Sequence, residues 1–233
     1  MKRELLAVIP ARGGSKGIPL KNIARINKTP MIAYTIRAAL RSRRISRVVV
    51  STDNDKISAV ASGFGAEVVK RPPELARDSS STIDAVTHCL DVLKSREDYL
   101  PDSIILLQPT SPLRTNRHID GAVRLFERHK CDAVISTCEP DHHPLKSFRT
   151  GKNGFLKGLA EEKFIFAPRQ KLPRALAPNG SIFLIKTKVF RKLKTLFPPK
   201  TLSYQMSARD SVDVDSRENL EYAAFLMKRR NAL

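Results

Sequence analysis

The chain has 233 residues, 41% of them hydrophobic, enough to bury a sizeable core as one large domain or one domain with a small appendage. Its formal net charge is +19, from 42 Lys+Arg against 23 Asp+Glu, so it attracts anions: nucleic acid, a membrane surface or phosphorylated small molecules. Cys89, Cys131 and Cys138 show no Cys-x-x-Cys spacing and are odd in number, which argues against a disulfide framework and for reduced thiols in the cytoplasm.

The opening apolar run "LLAVIPA" is too short for a signal-peptide core and reads as a buried strand stopped by Pro and Gly. The loop "RGGSKGIPLKN" follows. "PMIAYTIRAALRS" has apolar residues at helical spacing, with Pro30 in the first turn. "RVVVST" is a second continuous apolar strand, after which Asp53 or Asn54 caps a helix over "DKISAVASGFG" that Gly63 and Gly65 close. "AEVVKR" reads as a strand, "SSSTIDAVTHCLDVLKS" as a capped amphipathic helix, "DSIILLQP" as a strand, "TNRHIDGAVRLFERH" as a helix and "CDAVISTCEP" as a strand. No segment reaches the length of a membrane span, and no membrane partner is expected.

Buried strands alternating with helices predict an α/β fold: a mostly parallel twisted sheet flanked by helices. In such sheets ligands bind beyond the carboxyl ends of the strands. The Arg12 loop, Ser51-Thr52-Asp53 and Gln108-Pro109-Thr110 all fall there. Residues 140–178 are rich in Pro, Gly and charge and interrupt the alternation. They divide the chain into a nucleotide-binding part over 1–139, an inserted arm over 140–178 and the completion of the α/β domain over 179–233. An insertion too small for a core of its own packs against something else, and a second copy of the chain is the candidate. The return to the sheet is read at "SIFLIKTKVF", followed by "VDVDS" and a final helix from "RENLEYAAFLMKRR".

The Arg12 loop is neither a Walker loop, because Gly17 is followed by Ile18 and Pro19, nor a dinucleotide fingerprint, because its glycines stand at 13, 14 and 17. Pro19 keeps Ile18 extended and removes a donor, so the loop is long and irregular. Such loops are uncommon unless functional.

"ARGGSKGIPLKNI", "VVVSTD", "KRPPELARDSSST", "LLQPTSPLR", "HHPLKS", "PRQKLP", "APNGSIFLI" and "SVDVDS" occur in this order over nearly the whole chain. The sequence resembles the CMP-sialic acid synthetases (acylneuraminate cytidylyltransferases). The resemblance implies a Rossmann-like nucleotidyltransferase with a small dimerisation domain, working as a homodimer with Mg²⁺, for which Mn²⁺ can substitute. The implied reaction joins N-acetylneuraminic acid or a related nonulosonic acid to CTP, giving the CMP-sugar and pyrophosphate. Attack is expected in line, by the anomeric hydroxyl on the α-phosphorus, with positioning and charge stabilisation ahead of covalent chemistry. No general base is identified.

On that reading Arg12 forks two phosphate oxygens, Lys21 is a point charge on the β/γ group, and Asn22 pairs with base or ribose. Ser15 and Lys16 lie in the same loop and are expected at the substrate. The family places nucleotide contacts at Arg71, Ser80, Thr82 and Gln108; the alternatives are a solvated strand end for Arg71 and helix capping for Ser80 and Thr82. Asp213 and Asp215, if on a strand, share a face about 6–7 Å apart, and the family's acidic pair makes them the metal ligands. Lys146, Arg169 and Gln170 match positions at the sugar and catalytic site, with Arg169 completing a neighbour's site if the arm crosses a dimer. Adjacent His142 and His143 read as structural. Asn179 and Phe183 are assigned to substrate. Bacterial members often carry Arg before Pro-Asn-Gly and Tyr in the next strand; here these are Ala177 and Phe183. That change favours a less hydroxylated sugar such as legionaminic acid, unless Arg174 substitutes or these positions only line the dimer arm. A basic nucleic-acid-binding module is the distant alternative, disfavoured by 6% aromatics and no Trp.

Overall fold

The computed structural model describes residues 4–15, 17–77 and 79–231. Lys16, expected at the substrate, lies outside the described residues.

The first strand, β1 (Leu5–Pro10), shows why a sheet forms. Leu5, Ala7 and Ile9 enter one apolar cluster and Leu6 and Val8 the other. Both faces of the strand are therefore covered, which is what a continuous apolar run requires. A small hairpin follows, β2 (Arg25–Ile26) and β3 (Thr29–Pro30), and then α1 (Met31–Leu40). Pro30 is the residue before the helix rather than in its first turn.

Next come β4 (Arg47–Thr52), α2 (Asp55–Gly63) and β5 (Glu67–Lys70). Asn54 caps α2 by accepting from the amides of Lys56 and Ile57. The chain continues through α3 (Thr82–Glu97), β6 (Ser103–Leu106), α4 (Asn116–Arg128) and β7 (Ala133–Cys138). The excursion holds a hairpin, β8 (Phe148–Thr150) with β9 (Leu156–Gly158), and the one-turn α5 (Glu162–Ile165). The chain then runs through β10 (Ala177–Lys186), α6 (Thr187–Leu193), β11 (Thr201–Gln205) and α7 (Arg217–Asn231).

Seven strands form one sheet in the order β11-β7-β10-β6-β1-β4-β5. All neighbouring pairs are parallel except those of β10, which runs antiparallel to β6 and β7. Helices α1, α2 and α4 cover one face, and α3 and α6 the other. A third cluster packs α7 through Leu226 and Met227 against Ile18, Leu113 and Val214. The expected α/β architecture is what the chain adopts. From β1 the chain winds outward to β4 and β5, then returns to β6 on the other side of β1. The reversal leaves a crevice at the carboxyl ends of β1 and β6.

Three features differ from expectation. "VDVDS" is not a strand: it follows a 3-10 turn at Arg209–Ser211 as an extended segment outside the sheet, tied by the Val214 amide to the Thr110 carbonyl at 2.8 Å. Its alternation arises because Val214 is wedged into the third cluster while Asp213 and Asp215 face outward. The strand β11 was not foreseen, because an edge strand with polar Ser203 and Gln205 lacks a continuous apolar run. Sheet pairing also resumes at Ala177 opposite Cys138, inside the segment expected to be arm.

Candidate active site

The loop after β1 is shaped by its own polar groups. The Gly13 amide donates to Asp53 Oδ1 at 3.0 Å, and the Ser15 hydroxyl donates to the Ile18 carbonyl at 2.5 Å while accepting from the Lys21 amide at 3.2 Å. Leu20 takes a left-handed conformation, φ 49°, and a 3-10 turn over Lys21–Ile23 follows. Asn22 is buried and donates its side-chain N–H to the Arg12 carbonyl at 2.9 Å. Gly17 is required by close approach: a Cβ there would meet the Asp215 carbonyl oxygen at 2.7 Å.

This loop forms one wall of an open pocket of about 430 Å³ at the carboxyl ends of the strands. Arg12, Ser15, Lys21 and Asn22 line it from β1. Arg71 lines it from the end of β5, Ser80 and Thr82 from the start of α3, Gln108 from the end of β6, and Asp215 from the segment before α7. Five separate chain segments thus bring nine of the candidate residues together.

Arg71 is not a solvated strand end. It is buried, with Nη2 donating to the Ser51 carbonyl at 2.8 Å and Nη1 to the Leu75 carbonyl at 3.2 Å. Its Nε has no partner among the described residues. Desolvation lowers its pKa; Asp53 opposes that and Arg12 adds to it. Helix capping belongs to Ser81, which forms a reciprocal box with Asp84. Ser80 instead donates to the Glu74 carbonyl at 2.9 Å. The first turn of α3, carrying Thr82, lines the pocket, and the start of a helix favours an anion.

Gln108 depends on Gly180. That glycine sits at φ 72° in the irregular part of β10, and a Cβ on it would lie 2.6 Å from Gln108 Oε1. The Gln108 carbonyl is held by Arg114, a residue the sequence reading passed over. Arg114 is 2% exposed and donates to the carbonyls of Gln108 at 3.1 Å and Ser181 at 2.9 Å and to Thr35 Oγ1 at 2.5 Å. Burial pushes its pKa down to about 9. Nothing local in "SPLR" marks this arginine for burial, since arginine is mostly exposed unless it is paired.

Lys21 Nζ donates to Asp215 Oδ1 at 2.6 Å. Desolvation raises the pKa of Asp213; a hydrogen bond from Thr110 opposes this, and the charge of Asp215 adds to it. Asp215 at the pocket wall, with Asp213 two residues before it, is a donor set of the kind that fits Mg²⁺, which takes one or two carboxylates together with water and substrate phosphates.

The remaining candidates stand elsewhere. Asn179 is buried with its amide engaged inside the protein, accepting from Ser136 Oγ at 2.6 Å and donating to Ser211 Oγ at 2.8 Å. Phe183 packs on the apolar cluster beneath α3 and pairs with Leu106. Lys146, Arg169 and Gln170 lie on two 3-10 turns of the arm and do not line the pocket of their own chain. His143 holds the arm together, with Nε2 2.9 Å from the Pro173 carbonyl oxygen and Nδ1 accepting from the Leu145 amide at 3.3 Å.

Residues 6–152 match the family model described as "Cytidylyltransferase". The chain belongs to the cytidylyltransferase family. It is 34% identical to the N-acylneuraminate cytidylyltransferase of Escherichia coli O18:K1:H7, over 99% of this chain and 54% of that protein. It is 33% identical to the enzyme of the same name from Streptococcus agalactiae serotype V, over 92% of this chain and 51% of that protein. The chain thus spans about half the length of these relatives. It is also 32% identical to post-translational flagellin modification protein B of Campylobacter coli, over 98% of this chain and 97% of that protein. Among solved structures, a CMP:2-keto-3-deoxy-manno-octonic acid synthetase complexed with CTP shares the fold, with TM-score 0.73 and 18% identity, covering 97% of this chain and 99% of that one. Among the described residues, no helix is long and apolar enough to cross a membrane.

Proposed function

We propose that this member of the cytidylyltransferase family transfers the cytidylyl group of CTP to the anomeric hydroxyl of N-acetylneuraminic acid or a related nonulosonic acid, releasing pyrophosphate. The observation that supports this best is the convergence of Arg12, Lys21 and Arg71 with the first turn of α3 in one pocket at the sheet's reversal point.

The sugar oxygen forms a bond to the α-phosphorus as the bond to the β-phosphate oxygen breaks. Arg12 and Lys21 stabilise the charge that collects on the leaving pyrophosphate. Thr82 and the amides at the start of α3 hold phosphate oxygens, and Gln108, fixed by Arg114 and given room by Gly180, orients the nucleotide. Asn22 keeps the Arg12 backbone in place rather than reading the base with that N–H. Mg²⁺ held by Asp213 and Asp215 would supply charge neutralisation at the phosphates.

We place the arm at a homodimer interface. Phe155 is 74% and Phe166 85% exposed, and Phe148 and Leu156 are exposed beside them, leaving an apolar surface that its own chain does not cover. Arg169, exposed on that arm, then reaches the partner's pocket.

For the sugar, one observation favours the less hydroxylated alternative, legionaminic acid. Arg174, the residue able to stand in for the missing arginine at Ala177, is instead hydrogen-bonded to Gln205 and lies 3.6 Å from Glu139. A comparison of kcat/KM for N-acetylneuraminic and legionaminic acids at fixed CTP tests this; a clear preference for N-acetylneuraminic acid removes its support.

A further inference from the structure

The loop from Gln108 to Asn116 has two walls. Gln108, Pro109 and Thr110 line the catalytic pocket, while Pro112 to Asn116 line a second pocket of about 520 Å³ between α1, the β2–β3 turn and the end of α7. The charge of this second pocket is one-sided. Arg37 lines it from α1, Arg41 from just after α1, Arg114 from the loop and Arg230 from α7, and among the described residues no Asp or Glu lines it.

The charge of Arg37 and Arg41 is uncompensated among the described residues, whereas that of Arg230 is partly offset by Asp210. Arg37 rests over the Phe64 ring at 4.9 Å, and neither it nor Arg41 pairs with a carboxylate among the described residues. Arg230 donates to the Leu113 carbonyl at 3.2 Å and has Asp210 at 3.6 Å. Arg114 has a buried Nε without a partner among the described residues. The floor is apolar, from Ala38, Leu113 and Met227. The pocket is concave, has four arginines and no acid in its lining among the described residues, and a guanidinium fork matches phosphate oxygens in pairs.

We propose that the pocket between α1, the 112–116 loop and α7 is a second anion site, binding a compact phosphate or pyrophosphate compound through Arg37, Arg41 and Arg230. Arg114 links the two pockets: the residue lines this site, and its buried guanidinium holds the Gln108 carbonyl. The inference rests on this pocket alone and does not depend on the cytidylyltransferase reading.

The test is equilibrium dialysis with radiolabelled inorganic pyrophosphate, with CMP as a second probe to separate a free pyrophosphate from a nucleotide source. Four proteins are compared: wild type, Arg37→Gln/Arg41→Gln, Arg12→Ala, and the charge-matched control Lys192→Gln/Lys200→Gln. Wild type is expected to bind two pyrophosphates per chain. The Arg37/Arg41 variant should lose one of them, with at least tenfold weaker binding, and keep its turnover without added anion. Arg12→Ala should lose the other. Binding by the Arg37/Arg41 variant equal to wild type, or an equal loss in the control, overturns the proposal. Failure of Arg12→Ala to affect either site would count against the catalytic pocket and leave this one standing.

Discussion

The ammonium of Lys21 lies 2.6 Å from Oδ1 of Asp215, a residue 194 positions further along the chain. The contact joins two walls of the candidate pocket, the loop after β1 and the segment before α7, and Gly17 lets the two backbones meet. The Asp215 side chain is 72% exposed, so the pair is worth about 1 kcal/mol or less. A nucleotide phosphate competing for Lys21 meets little resistance. Lys21→Ala is expected to lower kcat on the order of a hundred- to a thousandfold, as loss of one charge-stabilising donor does. The melting temperature should move by no more than about 4 °C. Near-normal turnover at saturating CTP would remove Lys21 from the mechanism.

Asp213 and Asp215 make activity metal-dependent on this account. Chelation should abolish turnover and Mg²⁺ or Mn²⁺ restore it, while Asp215→Ala should resist rescue at ordinary metal concentrations. Full activity in chelator would refute the assignment.

Gly180 links fold and site. Gly180→Ala must hold a left-handed residue, about 1–2 kcal/mol of strain, and its Cβ displaces the Gln108 side chain. A lower melting temperature together with a raised KM for CTP is expected. Combining it with Gln108→Ala should relieve the clash but not the backbone strain, so stability should recover only in part. An unchanged KM in the single variant would show that Gln108 does not orient the nucleotide.

The three cysteines are free and unequally accessible: Cys89 and Cys131 are buried and Cys138 is half-buried. Burial pushes the Cys89 thiol up to about 12 and raises that of Cys131. Only the thiolate reacts. A thiol reagent at pH 8 should therefore modify Cys138 first in the native protein, and all three after denaturation. Early modification of Cys89 in the folded state would contradict the packing of α3.

Much of this arrangement was legible in the residues. "RVVVST" reads as a strand over the same span the structure gives it because both faces are buried and the apolar run is continuous. The long, irregular loop after β1 was legible because its glycines, cations and Pro19 exclude the commoner motifs. The reading of "VDVDS" as a strand went astray because alternation reports only that one face is packed, and a loop wedged by Val214 meets that condition as well as a strand does. Nothing local in "APNG" shows that Ser136 and Ser211 engage the Asn179 amide. Arg169 and Gln170 cannot be placed from one chain if their pocket belongs to a partner.

The exposed arm carries its own test. Sedimentation should show a dimer, and Phe155→Ser/Phe166→Ser should shift it towards monomer with loss of activity. A strictly monomeric wild type with full activity would refute both the arm and the role of Arg169.

The central claim is cytidylyl transfer to a nonulosonic acid, and the most direct measurement is pyrophosphate release from CTP with Mg²⁺ and a panel of such sugars, each reaction analysed for the CMP-sugar. The account predicts stoichiometric pyrophosphate and CMP-sugar that depend on both substrates and are lost in Lys21→Ala. Absence of both products with every nonulosonic acid tested, from a folded protein that binds CTP, would contradict it.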